Sequence, residues 1–330
     1  MRGIPRRALL AAVVLGTAGC SALPQLGGGN GGLAGMADRI DPAPFVESGD
    51  RAQVFHTRPQ SAAEVLGIEA DTDIHSEEKP VARFRALLGM MPSMFALPVP
   101  FWSMNPAGLV TPELLTRLPE VGLLRSGMQE VSLWTDGAGL LDELEAGLDG
   151  FYAREGDELR FVPAEGEDPR LGPRTQLIAP VEKDLLFTSA ESTAGIDGDG
   201  SLADLFTDLP GVLAAVGLED AHLATAVRGS TPEDGSDHAS EWLWATRFED
   251  AERHTTRGVA RVVGDITAYA ERVLAAAGQD DGWLDVVEAE ADGDLLHMTL
   301  SSSSESNDVS NFYSTMPEDL GPGVPLGGWP

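Results

Sequence analysis

The sequence predicts an α+β fold, in which a mostly antiparallel sheet carries helices packed on one face. Short segments rich in β-branched and aromatic residues recur along the chain, as is typical of strands. Two turns, "REGDEL" and "EADGDL", place glycine beside aspartate between such segments, a pattern that favours antiparallel hairpins. Between these clusters lie segments that carry helix-start signals or helical spacing of apolar residues.

The strand candidates are short, and turn residues bound them. Most of them follow one another closely, which favours antiparallel pairing because parallel strands need long crossovers. In chain order they cover residues 51–57, 129–135, 150–155, 158–164, 175–181, 184–190, 222–229 and 241–250, and a last hairpin lies within 283–300.

Three helix starts are predicted from hydroxyl side chains that can accept a hydrogen bond from an amide of the first turn. The residues concerned are Ser61 with Glu64, Thr111 with Pro112, and Ser201 with Asp204. Pro210 is expected to kink or split the helix that follows Ser201, because proline lacks an amide hydrogen. A longer amphipathic helix is expected over 258–277, with Gly278 as its stop signal.

Two segments have a similar predicted order of elements. Residues 132–164 are expected to form strand, helix, strand, turn and strand, and the part of the chain from 245 to 300 has the same pattern. We therefore predict that a β-α-β-β module is duplicated within a globular region at 38–300. The two modules would cover about 38–210 and 211–300.

The N-terminal residues have the organisation of an export signal. In residues 1–19, a start with three arginines precedes an apolar run at 8–15, which is too short to span a bilayer. Small residues then lead to Cys20, the only cysteine, in "TAGC". This motif resembles the lipobox of bacterial lipoproteins. The alternative is an ordinary secretory signal with an incidental cysteine, and export by the general or the twin-arginine route stays open.

The lipobox resemblance implies cleavage before Cys20 and modification of its sulfur with diacylglycerol. The protein would then lie on the extracytoplasmic face of the cell membrane, because two acyl chains of roughly 16 carbons each hold a protein there. The glycine-rich stretch at 20–37 is expected to be a flexible tether. The serine-, proline- and glycine-rich segment at 301–330 is expected to form a loosely ordered tail.

Composition excludes several partners and cofactors. The formal net charge of −31 would repel nucleic acid. With Cys20 acylated, no thiol is left for a disulfide or a cysteine-bound metal, and no cofactor is predicted. Lysine occurs only at Lys79 and Lys183, among abundant alanine, glycine and proline. In this respect the chain resembles envelope lipoproteins of actinobacteria, although acidic haloarchaeal lipoproteins share the property.

One apolar segment, at 87–110, is a candidate contact surface for a partner protein or an apolar ligand. Its prolines exclude a membrane-spanning helix, and methionine with aromatic residues suits an adaptable surface. The alternative is that the segment packs as core beneath the sheet. The candidate contact residues are Met90, Met91, Met94, Phe95, Phe101, Trp102 and Met104.

Motifs for catalysis or metal binding are weak. The Ser76–Lys79 stretch has serine and lysine at the spacing of penicillin-recognising enzymes, but a second lysine motif is missing. A loop containing Asp197 and Asp199 suggests a weak calcium site, although acidic ligands are absent at the ends of an EF-hand alignment. The histidines never have the spacing of helical metal ligands.

We therefore expect a lipid-anchored extracytoplasmic protein with a non-enzymatic binding or scaffolding role in the cell envelope. One alternative is an envelope hydrolase that uses a pair of carboxylates, which would leave no sequence signature. Another is the solute-binding component of a transporter, although such proteins usually alternate strand and helix in two α/β lobes.

Overall fold

The fold is dominated by a single antiparallel sheet, and this confirms an α+β chain that is mostly sheet. The computed structural model describes residues 32–47, 51–76, 78–85, 87, 111–127, 129–148, 150–162, 175–190, 192–193, 196, 200–218, 220–229, 237–277 and 286–300. Within these residues, 12 strands form one sheet in which all neighbours run antiparallel. The predicted signal peptide, Cys20 and the predicted tail lie outside the described residues.

The strands and helices alternate along the chain in short groups. The strands are β1 (Ala52–Thr57), β2 (Val121–Ser126), β3 (Gln129–Trp134), β4 (Tyr152–Glu155), β5 (Glu158–Phe161), β6 (Leu177–Val181), β7 (Asp184–Thr188), β8 (Leu223–Arg228), β9 (His238–Phe248), β10 (His254–Val263), β11 (Val286–Asp292) and β12 (Leu295–Leu300). The helices are α1 (Gly32–Ala37), α2 (Pro59–Leu66), α3 (Lys79–Arg85), α4 (Pro112–Leu115), α5 (Leu141–Gly147), α6 (Leu209–Val216) and α7 (Ile266–Ala277).

The spatial order of the strands is β11-β12-β10-β9-β8-β1-β2-β3-β7-β6-β5-β4. The pairing of β1 with β8 lies near the middle and joins the early and late parts of the chain, with Phe55 opposite Thr225. On its other side β1 pairs with β2, where Phe55 is opposite Leu123. The centre of the sheet is therefore built from strands that are far apart in sequence.

All of the predicted strands are present, and two further strands, β2 and β10, were not predicted. Part of β10 lies in the segment expected to be helical, 258–277, so that the helix is limited to α7. The apolar spacing around Val259 and Val262 fits both a helix and a strand. Hydrogen bonding to β9 on one side and to β12 on the other makes this segment a strand. Gly264, whose φ of 105° favours glycine, separates β10 from α7.

The expectation that helices pack on one face only is wrong, because both faces of the sheet are covered. One side, here called the front face, carries Phe55 and Trp242 and packs against α2, α3, α4, α5 and α7. The other side, the back face, carries Val54 and Leu243 and packs against α1, α6 and a 3₁₀ turn at Leu202–Leu205. Central strands are apolar at successive positions, which is typical of strands buried on both sides.

Two of the three predicted helix starts are confirmed. The Thr111 hydroxyl accepts a hydrogen bond from the amide of Leu114, with proline at the first position of α4. Ser201 and Asp204 form a reciprocal capping box. The element that Ser201 caps is the short 3₁₀ turn, and α6 follows separately with proline in its first turn. In contrast, Ser61 lies inside α2, which begins two residues earlier at a proline.

The described part of the fold includes residues before the expected boundary near Asp38. Helix α1 lies within the stretch at 20–37 that was expected to be a flexible tether. Its Leu33, Met36 and Ala37 are buried in the back-face core. These apolar residues have i, i+3, i+4 spacing, so they form one face of a helix despite the neighbouring glycines.

Strand pairing gives no evidence for a duplicated module. The order strand, helix, hairpin occurs both in β3-α5-β4-β5 and in β10-α7-β11-β12, but the first strand pairs differently in the two segments. β10 pairs directly with β12, whereas β3 pairs with β7, and β6 and β7 separate it from the β4–β5 hairpin. The suggested division at about residue 210 falls within α6, and it stays a prediction.

Among the residues that the structure describes, no helix combines the length and the apolar character needed to cross a membrane.

Candidate functional site

Five polar side chains in the centre of the front face have buried atoms without a hydrogen-bond partner. Alternation along the strands places all of them on the same side as Phe55. We call them the donor strip, and they are Gln53, Thr57, Trp134, Thr225 and Trp242, through Nε2, Oγ1, Nε1, Oγ1 and Nε1 respectively. Because most buried polar groups in proteins are hydrogen-bonded, a cluster of this kind needs an explanation.

Four of the five side chains of the donor strip are almost fully enclosed, and Gln53 is partly exposed. Thr57 and Trp134 are each 0% exposed, and Thr225 and Trp242 are each 1% exposed. Leaving such groups without a partner costs about 1–3 kcal/mol each, because they have lost their hydrogen bonds to water. An acceptor group beside these donors would remove that cost, but the side chains over the strip would have to move to admit it, because each donor atom exposes less than 1 Å².

The strip runs across the sheet rather than along one strand. Thr57 and Trp134 are both opposite Val121 of β2, so they are two strands apart. Gln53 and Trp242 are likewise two strands apart, on either side of β8. With about 4.8 Å between neighbouring strands, the strip from β3 to β9 spans four intervals, or roughly 19 Å.

Other buried hydroxyl groups on the front face do have partners. Thr246 and Thr256, which are opposite each other on β9 and β10, share a hydrogen bond of 2.9 Å. The Ser132 hydroxyl donates to the carbonyl oxygen of Gly122 over 2.7 Å. The unpartnered groups of the described front face are thus confined to the donor strip, and on the back face the Nε2 atom of His56 also has no hydrogen-bond partner.

The surroundings of the strip are apolar and aromatic. The Trp134 ring lies 4.4 Å from that of Phe187, and the Trp242 ring lies 5.1 Å from that of Trp244 and 6.2 Å from that of Tyr269. Apolar residues of α2, α4 and α7 belong to the same core. A molecule bound here would contact mainly apolar surface, with a few hydrogen-bond donors.

A buried carboxylate, Glu130, lies at one end of the row that contains Gln53. Arg125 is opposite both residues, and it donates to Glu130 over 2.8 Å. The Thr175 hydroxyl donates to the other carboxylate oxygen over 3.2 Å, and Tyr152 donates to the Thr175 carbonyl. Burial, and to a lesser degree the charge of Glu130, raises the pKa of Tyr152, which keeps the phenol neutral.

The other two buried acids, on the back face, are also held by arginines. Asp184 accepts from Arg39 over 2.6 Å, and Glu241 accepts from Arg261 over 3.2 Å. Glu241 in addition accepts from the amide and the hydroxyl of Thr207, each over 2.6 Å. These contacts attach the ends of α1 and α6 to the sheet. Each of the three buried carboxylates therefore pairs with an arginine and helps to hold neighbouring parts of the fold together.

The histidines are dispersed over the fold. His56 lies on the back face, with Nε2 4.0 Å from an oxygen of Glu120. His222 accepts a hydrogen bond from the amide of Phe248, and burial lowers its pKa. Burial and the charges of Arg83 and Lys79 lower the pKa of His254 to about 4. In the described part of the chain, no group of three or more His, Cys, Asp or Glu is placed to hold a metal ion.

Most of the residues singled out from the sequence are outside the described part of the chain. This applies to the lipidation residue, the apolar contact residues and the two aspartates of the suggested calcium loop: Cys20, Met90, Met91, Met94, Phe95, Phe101, Trp102, Met104, Asp197 and Asp199. Lys79 pairs with Glu252, and Lys183 pairs with Asp136, so both lysines form surface ion pairs.

The donor strip was missed from the sequence, although part of its signal was visible. Thr57, Trp134, Thr225 and Trp242 occupy positions in predicted strands that alternate with the residues of the opposite face. Their common location requires the register of five strands, which the sequence pattern does not provide. Comparison with known proteins gives no further guidance, because no protein-family model, curated protein or solved structure matches this chain.

Proposed function

We propose that the protein is a lipid-anchored extracytoplasmic protein of the cell envelope that binds a small ligand and has no catalytic activity. The lipobox-like residues that end at Cys20 support the anchor, through a diacylglycerol-modified cysteine. The donor strip supports a binding role, because its buried donors are complementary to acceptor groups of a ligand. This strip is the one observation on which the binding role rests.

A hydrolytic function has less support. A general acid, base or nucleophile must be able to reach the substrate, and hydrolysis by a carboxylate pair needs two acids facing one cleft. The three buried carboxylates of the described residues, Glu130, Asp184 and Glu241, are each engaged by an arginine. The single antiparallel sheet also differs from the two α/β lobes of typical solute-binding proteins.

The anchor can be tested by metabolic labelling with an alkyne analogue of palmitate in a bacterial host. We expect the wild-type chain to incorporate the label and Cys20→Ser to lose it. Thr17→Leu is the matched control, and it should retain the label because leucine is the commoner residue at this lipobox position. An unlabelled wild-type chain, in a host that labels its own lipoproteins, would contradict the proposed anchor.

The binding role can be tested on the full chain isolated from host membranes in mild detergent. Bound molecules are released with organic solvent and measured by mass spectrometry, in comparison with Thr57→Val/Thr225→Val. We expect a molecule close to one per chain in the wild type and its loss in the double variant. An identical set of molecules from both chains would contradict binding at the donor strip.

A further inference from the structure

We propose that strand β11 is a docking edge for an extended, basic segment of a partner protein, which adds to the sheet as a further antiparallel strand. This inference concerns a different surface from the donor strip and does not depend on the proposed small ligand. Three observations carry it: the free edge of β11, the direction of its backbone groups and the charge of its side chains.

The edge of β11 is open. This strand lies at one end of the sheet, and within the described residues β12 is its only strand neighbour. It has seven residues, compared with four in β4 at the opposite end. Its regular part, 288–292, follows an irregularity in register near Val286, and every side chain in it is exposed except that of Ala289, which is half-buried. An edge strand of this kind carries amide and carbonyl groups that another strand can bond.

The β11–β12 hairpin determines which backbone groups of β11 point outward. Asp292 is opposite Leu295 across a two-residue turn, so these two residues are a hydrogen-bonded pair. Bonded and non-bonded pairs alternate along antiparallel strands. Ala289 and Ala291 therefore direct their amides and carbonyls away from β12, and their small side chains do not obstruct an approaching strand.

The back-face side of β11 is acidic. Glu288, Glu290 and Asp292 alternate with the alanines, and Glu290 is opposite His297. Helix α6 packs on β9 and β10, and the three carboxylates are exposed. In the described part of the chain, none of the three forms an ion pair. A strand with lysine or arginine at every second position would place its charges opposite these acids, and such cross-strand pairs stabilise a sheet.

Charge argues against two other occupants of this edge. If two copies of β11 paired in antiparallel fashion, the acids of both strands would face each other, which is destabilising. The C-terminal segment of the chain, 301–330, has no lysine or arginine and contains Glu305, Asp308, Glu318 and Asp319. A basic segment of another protein is therefore the occupant that fits.

The first test measures binding of a short basic strand to the full chain in mild detergent. The probe is acetyl-Lys-Val-Lys-Val-Lys-amide with a fluorescent label, followed by anisotropy at physiological ionic strength. We expect Glu288→Gln/Glu290→Gln to bind it roughly three- to tenfold more weakly than the wild type, because two cross-strand charge pairs are lost. The matched control is Glu64→Gln/Glu69→Gln, which removes two exposed charges elsewhere and should bind the probe as the wild type does.

A second test distinguishes strand addition from simple attraction between charges. In an antiparallel addition, the valines of the probe lie opposite Ala289 and Ala291 and donate their amides to β11, whereas the lysine amides point away. N-methylation of both valines should therefore weaken binding about tenfold or more, and N-methylation of the central lysine should not. This comparison uses the wild-type chain, so it does not depend on the folding of a variant.

Hydrogen exchange locates the bound probe. The amides of Ala289 and Ala291 should exchange rapidly in the free chain and become protected when the probe is bound. Absence of binding, equal binding by the two double variants, or equal effects of the two methylations would overturn the inference. So would protection of these amides before the probe is added, which in a monomer would mean that another segment of the chain occupies the edge and in a dimer that a second copy does.

Discussion

At the scale of single residues, the front face contains buried polar groups of two kinds. Thr246 and Thr256 pair with each other, and Ser132 donates to a carbonyl oxygen. Thr57 and Thr225 have unpartnered hydroxyls although they are as deeply buried. The chain thus satisfies its buried hydroxyls where it can do so locally, and the exceptions lie together at the centre of the sheet.

Thr57→Val should not destabilise the protein and should stabilise it by up to about 1 kcal/mol. The substitution removes a hydroxyl that has lost water and gained no partner, and it keeps the shape of the side chain. Thr256→Val should instead cost about 1 kcal/mol, because it removes a hydrogen bond of 2.9 Å. Urea unfolding of both variants measures the difference, and equal destabilisation would contradict it.

Glu130→Gln should cost about 3 kcal/mol of unfolding free energy, because it removes the negative charge from a buried ion pair with Arg125. Glu143→Gln is the matched control, since Glu143 pairs with Arg117 on the surface. Surface pairs contribute about 0–1 kcal/mol. Denaturant midpoints of the two variants test this. Similar midpoints would show that removing the charge of Glu130 destabilises the fold no more than removing a surface charge.

At the scale of secondary-structure elements, side-chain hydrogen bonds determine where elements begin and how they attach to the sheet. Ser201 caps the 3₁₀ turn at Leu202–Leu205 and also donates to the carbonyl oxygen of Ala37 at the end of α1. Arg83 of α3 donates to the carbonyl oxygens of Ala251 and Glu252 in the β9–β10 turn. Layers on both faces are therefore fastened by polar contacts at their ends.

Ser201→Ala should lower the unfolding free energy by about 1 kcal/mol, the usual cost of losing a capping side chain. Ser61→Ala is a suitable comparison, because Ser61 lies within α2 and makes no capping bond. That substitution should change stability by no more than about 0.5 kcal/mol. Thermal unfolding followed by circular dichroism distinguishes the two, and an equal loss would show that the Ser201 cap contributes nothing.

At the scale of the whole molecule, two apolar cores are separated by one sheet, and stability depends on pH through a histidine that is partly buried in the folded chain. His254 lies at the start of β10, where burial and the charges of Arg83 and Lys79 lower its pKa to about 4. The unfolded chain therefore binds a proton that the folded chain does not, between pH 6.5 and about 4.

The contribution of His254 to stability should be fully present above pH 6.5 and should be lost as the pH falls toward about 4. His254→Gln, which cannot be protonated in this range, should lose less stability than the wild type over the same interval. Unfolding midpoints measured at pH 7, 5.5 and 4.5 test this. Parallel curves for the two proteins would show that His254 does not titrate differently on unfolding.

The sequence by itself determined the features that depend on neighbouring residues. Most of the strand segments, the hairpin turns at Gly156 and Gly293, and the caps at Thr111 and Ser201 were predicted, because each rests on local backbone preferences and short-range hydrogen bonds. Its functional candidates, including Cys20, stay predictions of the sequence.

Only the tertiary structure decided which strands are neighbours and which side chains share a face. Pairing of β1 with β8 joins residues that are far apart in the chain, and it brings Thr57 and Thr225 to one surface. Pairing of β10 with β9 and β12 likewise makes this segment a strand instead of a helix, and the resulting sheet has two faces to be covered. Strand register depends on long-range hydrogen bonds and packing, and one-residue changes in it exchange the two faces.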